Sequence, residues 1–189
     1  MTRQNEMLIT LEDVARRLNA LGINYMLTGS VAMGLYVPAR TTFDIDIVVE
    51  ISSADSQRFE ASFREDYYVD ETSIIRANDR ESMFNIINNT TLVKVDCIVK
   101  KRDRFEIEKF ERRIKTRIGG EEFWVIGKED LILSKLRWAS DSYSERQFED
   151  INRLIESGIE NPSFFDNIMK LNLDTVWDVF NKWKIRTAK

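Results

Sequence analysis

Between Thr42 and Glu50 the chain reads TFDIDIVVE, and the two aspartates inside that apolar run constrain the fold more than any other feature. The β-branched residues make the segment a strand. Residues two apart on a strand share a face, so Asp44 and Asp46 point one way while Ile45, Ile47 and Val49 point into the core. A carboxylate in apolar surroundings without a partner is strongly disfavoured, or takes up a proton. Two arrangements tolerate the pair. Either this is an edge strand whose polar face meets water, or something positively charged meets the acids.

A second segment repeats the pattern. In LVKVDCIV, Val93, Val95, Cys97 and Val99 form one face, and Lys94, Asp96 and Ile98 form the other. Set beside the first strand, it brings a third carboxylate, Asp96, to the pair. Three crowded carboxylates repel unless cations neutralise them, so their convergence implies bound metal. Two Mg²⁺ ions about 4 Å apart, bridged by carboxylates, are a standard device for in-line attack on a phosphoryl group. Two upstream features suit the phosphates. Gly29 lets the backbone approach a ligand closely, and the amides from Ser30 onward open a helix, where anions bind readily. Arg40 is a fixed cation near the acids, suited either to phosphate oxygens or to pairing with one of the aspartates.

The chain has no histidine. That removes Ser-His-Asp and Cys-His nucleophiles, histidine zinc sites and histidine acid–base chemistry. What remains is carboxylates, Lys/Arg, hydroxyls and backbone amides, and carboxylates alone suit hard cations, Mg²⁺ or Mn²⁺. The single cysteine, Cys97, permits no internal disulfide. The N-terminus, MTRQNEMLIT, lacks the apolar stretch of a signal peptide, and no run approaches a membrane span, so the cytoplasm is the expected compartment and no membrane partner is expected.

The rest of the chain reads as mixed α and β for two thirds and helical at the end. A first helix is expected over Thr10 to Leu21, capped by Thr10 and ended by Gly22. A short strand follows over Asn24 to Thr28, then a small apolar helix stopped by Pro38. Another helix runs from about Ser53 to Glu65. Two hairpins are expected, MFNIIN with LVKVDCIV, and RRIKTRI with EEFWVI around Gly119–Gly120. Asn161 and Pro162 mark a late helix start. The expected fold class is α+β, an α/β mixed sheet, with a core over 1–127 and a helical region over 128–189 packed on it. The stretch from Lys94 to Arg117 holds ten Lys/Arg against five Asp/Glu. It reads as a solvated hairpin face or as a contact for a phosphate-bearing partner. Trp124, Trp138, Trp177 and Trp183 read as core, with Trp138 the one to watch beside Lys135 and Arg137.

LTGSVAMGL, then RTTFDIDIVV, then KVDCIV resembles the nucleotidyltransferase superfamily that includes DNA polymerase β and the kanamycin and lincosamide nucleotidyltransferases. It looks closest to the small bacterial AbiEii-type toxins and their relatives, which also carry an R-x-T/S-x-D-I-D strand and a late EDL…K-L helix, here GKEDLILSKLRWASDSYSERQFEDINRL. The resemblance implies a polymerase β-like core. It implies that Asp44 and Asp46 hold two Mg²⁺ or Mn²⁺ ions, that Asp96 holds the ion activating the attacking hydroxyl and helps take its proton, and that Gly29 and Ser30 hold the triphosphate. Lys135 fits the family's functional lysine, or else is an exposed residue of an amphipathic helix. Asp150 is placed loosely as the family's late aspartate, because Gln147 stands where such stretches often have an acid.

The function expected is metal-dependent transfer of a nucleoside monophosphate from an NTP to a hydroxyl. The acceptor is an RNA or tRNA end, a protein, or a small molecule such as an antibiotic; no DNA template is expected. If the chain is a toxin, an antitoxin is its partner. Two alternatives stand beside this: a sugar-nucleotide glycosyltransferase using the DxD, and a catalytically silent nucleotide- or partner-binding module, antitoxin-like.

Overall fold

A computed structural model describes residues 2–38 and 42–187. Helix α1 (Arg3–Leu21) starts well before the expected position, because Thr2 is the cap: its side chain accepts from the Asn5 amide. Thr10 lies inside the helix instead. Its hydroxyl bonds back to the Glu6 carbonyl at 2.8 Å and meets the Thr91 hydroxyl at 2.8 Å, the local side-chain bonding that makes a mid-helix threonine look like a cap. Gly22 ends α1 in the left-handed conformation, as expected.

Strand β1 (Tyr25–Thr28) leads into the single turn of α2 (Gly29–Met33). Then come β2 (Asp44–Val49), a 3₁₀ turn (Ser53–Asp55), α3 (Ser56–Phe63), β3 (Tyr67–Tyr68), α4 (Glu71–Asp79), β4 (Met83–Asn88), β5 (Lys94–Val99), α5 (Arg104–Glu111), β6 (Ile114–Ile118) and β7 (Glu121–Val125). Among the described residues the strands form one mixed sheet of seven in the order β3-β4-β5-β2-β1-β7-β6. β2 pairs parallel with β5 and β1 with β7, and the remaining neighbours are antiparallel, including both expected hairpins. The fold is thus the mixed α/β class the sequence suggested.

One sheet face is apolar throughout its middle. Ile45, Ile47, Val95, Cys97, Ile86, Leu27 and Val125 are fully buried there. Phe59 of α3 meets Phe84 edge-on at 5.4 Å and stacks on Phe63 at 4.5 Å, which closes α3 onto that face. α1 meets β2 and α4 meets β4. The basic stretch is not a plain hairpin face: α5 interrupts it. Lys109 pairs with Glu106 at 2.6 Å, Lys100 pairs with Glu50, and the Arg113 guanidinium lies over Phe110 and Trp124 at 4.3 and 4.7 Å.

The chain divides into two units, one holding the sheet and ending at Ile126, the other holding Met33–Pro38 and the chain from Gly127. The second contains α6 (Lys128–Ser142), α7 (Glu145–Glu156), α8 (Phe164–Lys170) and α9 (Asp174–Thr187). Asn161 accepts from the Ser163 amide at 2.9 Å in a local turn, so α8 begins at Phe164, just past Pro162. Phe148, Phe180, Trp177 and Trp183 share ring contacts between 5.3 and 6.0 Å. Trp138, by contrast, is 59% exposed. None of the described helices is long and apolar enough to cross a membrane.

Candidate active site

The edge-strand reading of the two aspartates fails on topology. β2 is an inner strand with β5 on one side and β1 on the other, although the Asp44 side chain stays 45% exposed. The parallel pairing of β2 and β5 sets Asp44 opposite Lys94 and Asp46 opposite Asp96. The antiparallel pairing with β1 sets Asp46 opposite Thr28, the residue before the turn. In-register neighbours share a sheet face, so Asp44, Asp46, Asp96, Lys94 and Thr28 stand on the face opposite the apolar one.

The chain leaves β1 at Gly29, whose φ is +63°. A Cβ there would lie 2.7 Å from Asp46 Cβ and closer still to the carboxylate. Only glycine lets the turn sit against Asp46, for both reasons at once. α2 has five residues, so the turn's amides and the open backbone, more than any helix dipole, would receive an anion.

Lys94 is the residue that sequence reasoning passed over. Its Nζ lies 2.9 Å from Asp96 Oδ2 and 3.5 Å from Asp44 Oδ2. The hydrogen bond to Asp96 is the main force holding the ammonium above the usual lysine range, with both carboxylate charges adding to it. The signal was legible, since Lys94 and Asp96 alternate onto one face of KVDCIV. Asp96 is 6% exposed as a residue, and its Oδ1 is buried with no hydrogen-bond partner. An orphaned buried acceptor costs roughly 1–3 kcal/mol.

Three carboxylates and no nitrogen or sulfur donor form a set suited to Mg²⁺ or Mn²⁺. The ammonium seated between two of the acids occupies this place, and the Asp96 oxygen beside it has no hydrogen-bond partner. Among the described residues no three acidic, histidine or cysteine side chains converge as a ready cage; Lys94 stands between the acids instead. The chemistry of the donors suits such an ion, while the described side chains seat a lysine ammonium among them.

No family model matches the sequence, and no curated protein does. Solved structures do. An antigenic nucleotidyltransferase-like protein from Paracoccidioides brasiliensis superposes with a TM-score of 0.66 at 16% identity, covering 97% of this chain and 89% of its own. A putative nucleotidyltransferase from Thermotoga maritima gives 0.54 at 18% identity, covering 78% and 94%. A lincosamide antibiotic adenylyltransferase, solved with lincomycin bound, gives 0.53 at 13% identity, covering 82% and 97%.

The chain has a nucleotidyltransferase fold.

The remaining site candidates of this nucleotidyltransferase fold lie outside the described residues of the sheet unit. Arg40 lies outside the described residues. Lys135 and Asp150 belong to the helical unit, where they meet each other: Nζ donates to Asp150 Oδ2 at 2.7 Å and to Gln147 Oε1 at 3.2 Å. Lys135 is 6% and Asp150 1% exposed, so the reading of Lys135 as an exposed amphipathic-helix residue is wrong. Gln147, which departs from the acid expected there, serves as the second acceptor of the lysine.

Proposed function

We propose that the chain transfers a nucleoside monophosphate from a nucleoside triphosphate to a hydroxyl acceptor. The observation that carries this reading is the register: Asp46 stands opposite Asp96 on a parallel neighbour strand and against the Gly29 turn on the other side. Acids and phosphate cradle therefore adjoin within one unit.

The roles follow from position. The Gly29–Ser30 backbone receives the triphosphate, since its approach is unobstructed by a side chain. Asp44, Asp46 and Asp96 would hold two divalent cations, Mg²⁺ or Mn²⁺. When bound, such ions neutralise the clustered acids and stabilise charge developing at the α-phosphate. Asp96 accepts the proton of the attacking hydroxyl; the hydroxyl oxygen bonds to the α-phosphorus, the bond to the bridging oxygen breaks, and pyrophosphate leaves. Positioning and electrostatics carry the rate, which is why a chain without histidine suffices.

The acceptor is argued from likeness. A solved neighbour is an adenylyltransferase with lincomycin bound, which supports a small hydroxylated drug. The AbiEii-like motif spacing supports an RNA end or a protein, with an antitoxin as partner. A second reading, a silent binding module, draws on Lys94, which already compensates two of the acids. One experiment separates them. Each α-labelled NTP is incubated with Mg²⁺ or Mn²⁺ and with total RNA, lysate protein or hydroxylated antibiotics, beside Asp46→Asn and Asp96→Asn. Label moving into one acceptor, and falling on the order of 10²–10³-fold or more in both variants, is the expected result. If NTP binds but no label moves into any acceptor, the silent module stands and the enzyme reading falls.

A further inference from the structure

We propose that Lys94 is a built-in competitor of the divalent cation: its ammonium holds Asp44 and Asp96 together in the metal-free protein and must leave them when an ion enters, so Lys94 sets the cation affinity of the site. This rests on the metal-dependent reading above and adds to it.

Three observations carry it. First, the place is fixed by backbone register. Lys94 is the β5 partner of Asp44 and shares its sheet face with Asp96 two residues on, so its amine reaches both carboxylates at 3.5 and 2.9 Å. Second, the compensation is incomplete. One ammonium meets two carboxylates, and Asp96 Oδ1 stays buried without a hydrogen-bond partner. A single positive charge with nitrogen donors leaves unmet both the charge and the acceptor that a divalent ion satisfies.

Third, the pair lies at the solvent edge. The Lys94 side chain is 37% and that of Asp44 45% exposed, whereas Asp96 is 8% exposed. The lysine can therefore swing into water, where its charge is solvated, while Asp96 stays behind for the ion. Two buried lysine pairs differ: Lys135 and Asp150 are 8% and 1% exposed, Lys109 and Glu106 5% and 13%. Those lysines have nowhere to go. Lys94 is seated as a removable counter-ion.

The test measures Mn²⁺ binding to the full chain by calorimetry or by loss of the free-ion spin-resonance signal, without nucleotide, together with thermal stability in chelator and in saturating Mn²⁺. Lys94→Met is expected to bind Mn²⁺ about tenfold tighter or more, within the usual range for coupled sites, and to gain more stability from Mn²⁺ than the wild type gains. Lys94→Arg, which keeps the charge, stays near the wild type. Should Lys94→Met fold only when Mn²⁺ is present, that too supports the competition. Asp96→Asn must lose the binding, which fixes the ion at these acids. Equal or weaker Mn²⁺ affinity in Lys94→Met, with Asp96-dependent binding intact in the wild type, overturns the role of Lys94 and leaves the transferase reading standing. Absence of any Asp96-dependent Mn²⁺ binding in wild type and variants overturns both.

Discussion

Gly22 and Gly29 share a backbone conformation and differ in what surrounds them. Their φ angles are +67° and +63°; around Gly22 a Cβ would meet nothing within 4 Å, whereas at Gly29 it would run into Asp46. Gly22→Ala should therefore show only the cost of a left-handed alanine, about 1 kcal/mol. Gly29→Ala should show that cost plus roughly 1–3 kcal/mol of overpacking, and should lose triphosphate binding because the Asp46 carboxylate is pushed aside. Urea midpoints for both variants, with nucleotide titration of each, check this. Equal destabilisation of the two, with binding intact in Gly29→Ala, would show that the turn does not rest on Asp46. The Gly-Ser pair was readable in the sequence as a turn between a strand and a helix. That its glycine is required by the Asp46 carboxylate was not, because the contact exists only once β1 and β2 pair.

At the scale of elements, the parallel pairing of β2 and β5 turns two separately legible patterns, D-x-D and K-x-D, into one site. Alternation told which residues share a face of each strand. Register and adjacency needed the sheet, since α3, β3, α4, β4 and the intervening turns lie between the two strands in sequence. α4 itself went unanticipated although its start was written locally: Asp70 accepts from the Thr72 and Ser73 amides. The helices of the second unit offer a sharper contrast. Lys135 on α6 reads as one more charge on an amphipathic helix, yet it is buried against Asp150 of α7. Removing one member of a buried pair strands the other, at about 3–5 kcal/mol, while replacing both by apolar residues of similar size is often near neutral. Lys135→Met should lower the denaturation midpoint by that order, and Lys135→Met with Asp150→Leu should recover most of it. If the double variant is as unstable as the single, the pair is fixed by its other contacts and not by charge compensation.

For the whole molecule, stability should fall in alkali, and Tyr36 should be part of the reason. Burial, followed by the charges of Glu129 and Asp130, pushes its hydroxyl up to about 12. A pKa raised above the unfolded value of about 10 means that the unfolded chain releases this proton first. The stability is thus fully present below about pH 10 and is lost as the pH rises through about 12. Burial raises the Tyr25 and Tyr67 hydroxyls as well, so the difference between wild type and Tyr36→Phe isolates the effect. Denaturation curves across that range should show a shallower decline for Tyr36→Phe; identical slopes would remove Tyr36 from the account.

The sequence by itself determined the class of fold, most of the strands, both hairpins and the kind of chemistry available. Period-two alternation, turn residues and the lack of histidine are local or compositional properties, written where they act. It also placed Asp44 and Asp46 on one face of their strand and Asp96 beside Lys94 on one face of another. Only the tertiary structure decided that β2 is an inner strand, that Asp46 and Asp96 are neighbours, that Gly29 sits against Asp46, and that Lys94 already stands between two of the acids. Each of these depends on which strands pair and in what register. Such pairings are set by the burial of one whole face of the sheet, so no single stretch of the sequence records them.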